Sequence, residues 1–281
     1  MSEERAAPAQ AGGDSRNLLA RIAAAAVLAP AAIAAAYAGG LLWTALVTLG
    51  AAGLYVEWLM VAGAARDRRV VTGGVAALAL AGLCLGLGKI DAALLILLLG
   101  LAAVGALSAE RRRWTSAGFL YAAAALLASV LVRLDQLEGL VALILVLLVV
   151  WATDIAGYFA GRGIGGPKLW PRVSPNKTWA GAIGGFVASL LVAAGFAALG
   201  LGRIVPMLVV AACLSIASQL GDLLESAVKR HFGVKDSSHI IPGHGGLMDR
   251  LDGYVAAIVV AAIFGFLRGG VDGVGRALMV W

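Results

Sequence analysis

Charged residues and glycines are concentrated in one short segment near the end of the chain. The segment GHGGLMDRLDG, Gly243 to Gly253, holds one histidine, one arginine, two aspartates and four glycines. On a helix, Asp249 and Asp252 share a face, and carboxylates are hard oxygen ligands of the kind that Mg²⁺ binds. Glycines and successive amides ahead of a helix let the backbone approach and bind an anion. This pattern predicts a site for metal and phosphate, although carboxylates that only offset a helix dipole give the same spacing. His244 is equally compatible with a hydrogen-bonding loop histidine and with a phosphate contact or proton carrier.

A second charged group precedes this segment. On a helix that continues past residue 221, Asp222, Ser226 and Lys229 share one face, and Glu225 lies one turn from Asp222. Such a face offers oxygen ligands to a divalent cation beside a cation for phosphate. The plainer alternative is an ordinary ion pair between Glu225 and Lys229.

A third polar segment, GRGIGGPKLWPRVSPNKTWAG, covers residues 161–181. Its GxGxxG spacing has no βαβ context, and Pro167 occupies the position where a Walker A motif requires lysine. Ser174 and Pro175 are predicted to be the N-cap and first residue of the next helix. The side chains of this loop that can bind an anionic substrate include those of Arg172, Lys177 and Thr178.

The composition excludes an ordinary soluble protein. The mean hydropathy is +0.93, with 61% hydrophobic and 14% charged residues, against roughly 45–50% and 25% in soluble domains. The formal charge of +6 is compatible with nucleic-acid binding, but the basic residues are scattered between apolar runs. Membrane orientation explains that distribution better, so no nucleic-acid partner is expected.

Nine apolar runs are long enough to cross a bilayer, for which a helix needs about 20 residues. They are residues 22–38, 41–62, 71–87, 91–107, 115–132, 138–158, 179–199, 204–221 and 254–267. The predicted fold class is therefore all-α, a polytopic integral membrane protein with about nine transmembrane helices. GxxxG spacing at Gly82 and Gly86, and at Gly181 and Gly185, favours close helix packing, with dimer contact as the alternative.

The basic residues also predict an orientation. Of the 22 Lys and Arg residues, 17 fall on the face that carries the N-terminus and five on the other. Because cytoplasmic loops carry the Lys/Arg excess, the N-terminus is predicted to lie inside. Residues 1–21 form a polar cytoplasmic tail, 22–134 an N-terminal transmembrane region, and 135–281 a C-terminal transmembrane catalytic region with cytoplasmic loops 161–178 and 225–251.

Carboxylates within or beside apolar spans are functional candidates by default, because burying charge in a membrane is costly. They are Glu57, Asp154, Asp222, Glu225, Asp249 and Asp252. The last five are predicted at one depth, which places the active site at the cytoplasmic ends of the C-terminal helices.

The segment SAVKRHFGVKDSSHIIPGHGGLMDRLD, Ser226 to Asp252, closely resembles the C-terminal motif of the CDP-diacylglycerol synthases, also called phosphatidate cytidylyltransferases. That motif reads S-x-x-K-R, then K-D, then H-G-G-x-x-D-R-x-D. Its fixed positions are all present, at Ser226, Lys229, Arg230, Lys235, Asp236, His244, Gly245, Gly246, Asp249, Arg250 and Asp252. The likeness is strong over about residues 150–253. It departs from the family at Ala180, where an acidic residue is usual, and Asp154 is the candidate substitute.

The resemblance implies a reaction in which CTP and phosphatidate form CDP-diacylglycerol and pyrophosphate. It implies that Asp222 and Asp249 hold Mg²⁺ or Mn²⁺, with Glu225 and Asp154 as further ligand candidates, and it allows a second cation such as K⁺. The expected catalytic residues are Asp222, Asp249, Lys229, Arg230 and His244. The residues expected to bind substrate are Ser226, Lys235, Asp236, Gly245, Gly246, Arg250, Asp252, Arg172, Ser174, Lys177 and Thr178. A homodimer in the cell (plasma) membrane, with CTP, phosphatidate and the lipid bilayer as partners, is expected.

Two other functions use similar residues. A CTP-dependent lipid-alcohol kinase also needs inner-face carboxylates, a metal and cations, but it releases CDP. A membrane transporter is the more remote alternative, since its charged groups would line a path at the middle of the bilayer.

Overall fold

The computed structural model describes residues 30–108, 110–238 and 245–281. Helices account for most of these residues. They are α1 (residues 30–38), α2 (Gly40–Val61), α3 (Arg68–Gly86), α4 (Ile90–Leu107), α5 (Arg112–Leu134), α6 (Gly139–Gly163), α7 (Trp179–Ala198), α8 (Ile204–His231), α9 (Met248–Gly269) and α10 (Val274–Met279). The residues of the first predicted span before position 30 lie outside the described chain.

Eight of the described helices, α2 to α9, are long and apolar enough to cross a membrane. Large apolar side chains such as Leu98, Phe159 and Leu191 are exposed on their outer surfaces, as lipid-facing side chains are. The predicted fold class, an all-α polytopic membrane protein, is confirmed, and each predicted span from the second to the ninth overlaps one of these helices.

The C-terminal helices extend beyond the predicted apolar runs. α8 continues to His231 instead of ending near residue 221, and α9 begins at Met248 instead of residue 254. Hydropathy marks only the part of a helix that fits the hydrocarbon, whereas the backbone hydrogen bonds continue into the polar region. The charged residues at this end of the bundle, here called the site end, therefore lie on rigid helices.

The prediction that Ser174 and Pro175 begin a helix is wrong. Residues Lys168–Trp170 (β1) and Ser174–Thr178 (β2) form an antiparallel hairpin. A residue before proline prefers extended backbone, and proline is tolerated in an edge strand, so the same dipeptide suits a short strand. Thr178 caps α7 instead, and its hydroxyl accepts a hydrogen bond from the Gly181 amide at 3.1 Å.

Close packing at the second GxxxG pair is confirmed and joins α6 to α7. A Cβ placed on Gly181 would lie 2.7 Å from the carbonyl oxygen of Gly157, and one on Gly185 would overlap the carbonyl of Thr153. The two backbones can approach this closely only because both positions lack side chains. The close contact fixes the start of α7, and with it Thr178, against the end of α6.

Candidate active site

The site is built where α8 and α9 cross. A Cβ on Gly221 of α8 would lie 2.6 Å from the carbonyl oxygen of Asp252, and one on Gly253 of α9 would lie 2.5 Å from Oγ of Ser218. Small residues therefore permit a tight crossing. The residues that follow Gly221 and precede Gly253 are Asp222 and Asp252, so the crossing brings two carboxylates from different helices together.

Three carboxylates meet at this crossing. One oxygen from each of Asp222, Glu225 and Asp252 lies within 4.8 Å of the others. Glu225 is 3% exposed, and its Oε1 is buried with no hydrogen-bond partner among the described residues. A buried, unpartnered carboxylate oxygen beside two further carboxylates is strongly unfavourable without a cation. The donor set, hard oxygens from three side chains, fits Mg²⁺ or Mn²⁺.

Lys229 lies between this cluster and the start of α9. Its ammonium nitrogen is 2.9 Å from Oε2 of Glu225 and 2.5 Å from Oδ1 of Asp249. The i,i+4 pair with Glu225, which was the plainer alternative for this face, is therefore present, but the lysine also joins α8 to α9. Both ion pairs are largely buried, which strengthens their electrostatic interaction.

Asp249 accepts several hydrogen bonds in addition to this ion pair. Its Oδ2 accepts from the Ser237 amide at 3.1 Å, from Ser237 Oγ at 3.0 Å and from the Gly246 amide at 3.0 Å. Gly245 has a φ of +80°, a conformation that favours glycine, and so lets the chain turn toward Asp249. In this structure Asp249 binds Ser237 and Gly246, while Asp222 lies with Glu225 and Asp252.

The hairpin supplies a second cation. Lys177 of β2 forms an ion pair with Oδ2 of Asp222, and Ser226 Oγ lies 3.5 Å from Oδ1 of the same carboxylate. Among the described residues, Lys177 therefore pairs with Asp222, and Lys229 pairs with Glu225 and Asp249.

A cavity of about 730 Å³ opens beside Asp222. Its lining combines the cations Arg162, Lys168 and Lys177 with polar groups of Asp154, Asn176, Thr178 and Gln219. A cavity of this size accommodates a nucleotide-sized ligand. Asp154, the candidate substitute for the acidic residue missing at Ala180, therefore shares a cavity with Asp222.

The structure does not bring every predicted residue to this centre. Arg230 is exposed, and its Nη1 donates to the Val234 carbonyl at 3.0 Å, where it closes the end of α8. The side chains of Arg172, Lys235, Asp236 and Arg250 are exposed, and Ser174 begins β2. His244 lies outside the described residues. The catalytic and substrate-binding roles of all these residues remain predictions.

Glu57 is a carboxylate in an apolar span whose role is not evident from the sequence. Glu57 is fully buried and accepts hydrogen bonds from residues on both sides of the loop ahead of α9. An ionisable residue inside a membrane helix was the available signal. Its partners are about 180–190 residues away in sequence, so no local pattern could identify them.

The chain is similar to several curated proteins over about half of its length. A phosphatidate cytidylyltransferase of Brucella suis biovar 1 (strain 1330) is 54% identical over 158 residues, which are 55% of this chain and 57% of that protein. Proteins with the same name from Bacillus subtilis (strain 168) and Haemophilus influenzae (strain ATCC 51907) are 46% identical over 125 residues and 43% identical over 138 residues. These matches cover 44% and 47% of this chain and 46% and 48% of those proteins. The chain thus spans about half the length of the curated relatives it matches.

A family model covers more of the chain than these pairwise matches do. The model described as the cytidylyltransferase family matches residues 19–267, which include α2 to α8 and nearly all of α9. The carboxylates, lysines and cavity described above all fall within that range, and the chain belongs to the cytidylyltransferase family.

Proposed function

We propose that this chain is a phosphatidate cytidylyltransferase, which transfers the cytidylyl group of CTP to phosphatidate and releases pyrophosphate. The observation that carries the proposal is the convergence of Asp222, Glu225 and Asp252 with Lys177 and Lys229 at one end of a membrane bundle. CTP carries a triphosphate and phosphatidate carries a phosphate. Carboxylates that bind a metal ion, together with ammonium groups, can neutralise the charge of both substrates. The family and the names of its relatives support the same reaction.

The reaction needs no side-chain nucleophile. A phosphate oxygen of phosphatidate attacks the α-phosphorus of CTP, a new P–O bond forms, and the bond to the β-phosphate oxygen breaks as pyrophosphate leaves. The task of the protein is to align the two phosphates and to reduce their mutual repulsion. Lys177, which lines the cavity, and Lys229, between α8 and α9, carry the charges that do this.

We propose that Mg²⁺ or Mn²⁺ is held by Asp222 together with Glu225 and Asp252. When bound, the ion neutralises phosphate charge and polarises the phosphorus that is attacked. Asp249, the ligand implied by the family resemblance, remains a candidate, although its oxygens already accept bonds from Lys229, Ser237 and Gly246. A second cation such as K⁺ and a homodimer also remain proposals from the resemblance.

We further propose that the site end faces the cytoplasm of a cell whose plasma membrane holds the bundle. The excess of Lys and Arg in the loops of that end supports this orientation. CTP then arrives from water, while the acyl chains of phosphatidate stay in the bilayer beside the helices. Both substrates reach the same depth without either crossing the membrane.

Product analysis tests the reaction. Purified protein in proteoliposomes is supplied with radiolabelled CTP, phosphatidate and Mg²⁺, with the wild type beside Asp249→Asn. We expect CDP-diacylglycerol and pyrophosphate from the wild type alone. If the wild type leaves phosphatidate untouched but phosphorylates diacylglycerol or a polyprenol and releases CDP, the lipid-alcohol kinase is correct and this proposal is wrong.

A further inference from the structure

We propose that Glu57 of α2 is a positioning residue for this site. It fixes the two segments that hold Asp249, one around Ser237 and the other from Gly246 to Met248. The proposal rests on the proposed function, because the positioning serves cytidylyl transfer. The contacts themselves can be tested without any substrate.

Among the residues that the structure describes, uncharged donors hold Glu57. Its Oε1 accepts from Ser238 Oγ at 2.7 Å and from the Leu247 amide at 2.8 Å. Its Oε2 accepts from Ser237 Oγ at 3.0 Å and from the Met248 amide at 2.7 Å. The side chain is 0% exposed, and among the described residues no Lys or Arg forms an ion pair with it. Two hydroxyls and the amides at the start of α9 therefore stabilise this carboxylate.

These bonds connect the N-terminal helices to the site. Leu247 and Met248 are the N-cap and first residue of α9, and their amides are among those that a helix leaves without an internal partner. Because both amides bind one carboxylate, Glu57 sets the position and direction of the start of α9. Asp249 is the next residue, so its orientation depends on the same contact.

Ser237 links the two carboxylates directly. Its Oγ lies 3.0 Å from Oε2 of Glu57 and 3.0 Å from Oδ2 of Asp249. The hydroxyl has one proton and donates to one carboxylate at a time, while the Ser237 amide continues to donate to Asp249. A Cβ on Gly246 would overlap Ser237 Oγ and would lie 2.7 Å from Glu57 Oε2. This contact explains why the last glycine of the GHGG segment, Gly246, has no side chain.

The chain of contacts ends at the proposed metal ligands. Glu57 accepts hydrogen bonds from Ser237 and from the amides at the start of α9, and Ser237 also binds Asp249. Asp249 in turn forms an ion pair with Lys229, which lies beside Glu225. If the first contact is lost, the ammonium group of Lys229 loses a fixed counter-ion. Displacement of a catalytic group by about 1 Å can lower a rate by roughly 100-fold. Glu57 touches no reacting atom and acts only through these neighbours.

Glu57→Gln is the variant that tests the contact. An amide keeps the shape of the carboxylate but replaces one acceptor oxygen by an NH₂ group, which faces a backbone N–H that cannot accept. Tyr55→Phe is the matched control. It removes another buried hydrogen bond of α2, from Tyr55 Oη to the Val70 carbonyl at 3.0 Å, and it leaves the loop ahead of α9 unchanged.

The first measurement is hydrogen–deuterium exchange of the full-length protein in detergent, without CTP or metal. We expect the Leu247 and Met248 amides to exchange at least 10-fold faster in Glu57→Gln and at the wild-type rate in Tyr55→Phe. Equal exchange in the wild type and Glu57→Gln overturns the proposal. If Glu57→Gln does not yield folded protein, Glu57→Asp takes its place, because it keeps the charge but shortens the side chain by one methylene group, and unchanged exchange at Leu247 and Met248 then overturns the proposal.

The second measurement separates positioning from general stability. We expect the half-saturating concentrations of CTP and Mg²⁺ for transfer to rise at least 10-fold in Glu57→Gln and to stay at the wild-type values in Tyr55→Phe. Equal effects in the two variants, or none in Glu57→Gln, reduce Glu57 to a structural residue and overturn the proposal. A wild type that transfers no cytidylyl group overturns the proposed function and the positioning role with it, while the exchange result still decides whether the contact exists.

Discussion

The ammonium nitrogen of Lys229 lies 2.5 Å from Oδ1 of Asp249, and this ion pair joins α8 to α9. The same nitrogen lies 2.9 Å from Oε2 of Glu225. Lys229 therefore lies between Glu225, a carboxylate of the proposed metal cluster, and Asp249, which also binds Ser237 and Gly246. Lys229 is 8% exposed. Because the pair is largely removed from water, loss of either partner would leave the other as an unpaired buried charge.

Replacing Lys229 is therefore expected to damage both stability and activity. In Lys229→Met, Glu225 and Asp249 lose their common counter-ion, and removal of one partner from a buried pair commonly costs roughly 3–5 kcal/mol. We expect a lower melting temperature in detergent and kcat/KM for CTP reduced by about 100-fold or more. Lys89→Met is the control, since Lys89 is exposed between α3 and α4. Wild-type turnover in Lys229→Met would show that Lys229 has no role in the reaction.

The tight packing of α6 on α7 gives a second prediction. Gly185→Ala places a methyl group against the Thr153 carbonyl, and overpacking of this kind costs roughly 1–3 kcal/mol. Since both helices line the cavity beside Asp222, we expect lower thermal stability and weaker binding of CTP. Gly195→Ala in the same helix is the matched control, because its added methyl meets no atom within 4 Å. Equal melting temperatures for the two variants would contradict the close contact.

Local periodicity explains which parts of the site could be predicted. Asp222, Ser226 and Lys229 share one helix face by spacing alone, and Asp249 and Asp252 likewise, so their convergence followed from the helix period and the order of the spans. The β1–β2 hairpin was missed because a Ser-Pro pair fits both a helix start and an extended strand. The partners of Glu57 depend on packing between distant helices, which spacing within one segment does not encode.

Orientation in the membrane gives a third prediction. In a Cys84→Ser, Cys213→Ser background, Lys235→Cys places a thiol beyond α8 at the site end, and Lys89→Cys places one between α3 and α4. Both native side chains are exposed. Because the Lys/Arg excess predicts that the site end is cytoplasmic, a membrane-impermeant maleimide should label only Lys89→Cys in intact cells. Labelling of Lys235→Cys alone would invert the proposed topology.

The last prediction concerns the metal ligands. Asp252 distinguishes a site formed by Asp222, Glu225 and Asp252 from a site formed by Asp222 and Asp249. Asp222 belongs both to the pair implied by the resemblance, with Asp249, and to the cluster seen here, with Glu225 and Asp252. Asp222→Asn should therefore weaken Mn²⁺ binding, measured by electron paramagnetic resonance, at least tenfold, or about 1.4 kcal/mol. We expect the same loss in Asp252→Asn, because the buried free oxygen of Glu225 needs a cation that Asp252 helps to hold. Wild-type Mn²⁺ affinity in Asp252→Asn, with affinity lost in Asp249→Asn, would assign the ion to Asp222 and Asp249 instead.

Chelation of the ion should in either case abolish transfer without unfolding the bundle, since the two hydrophobic clusters that hold the helices together are independent of these carboxylates.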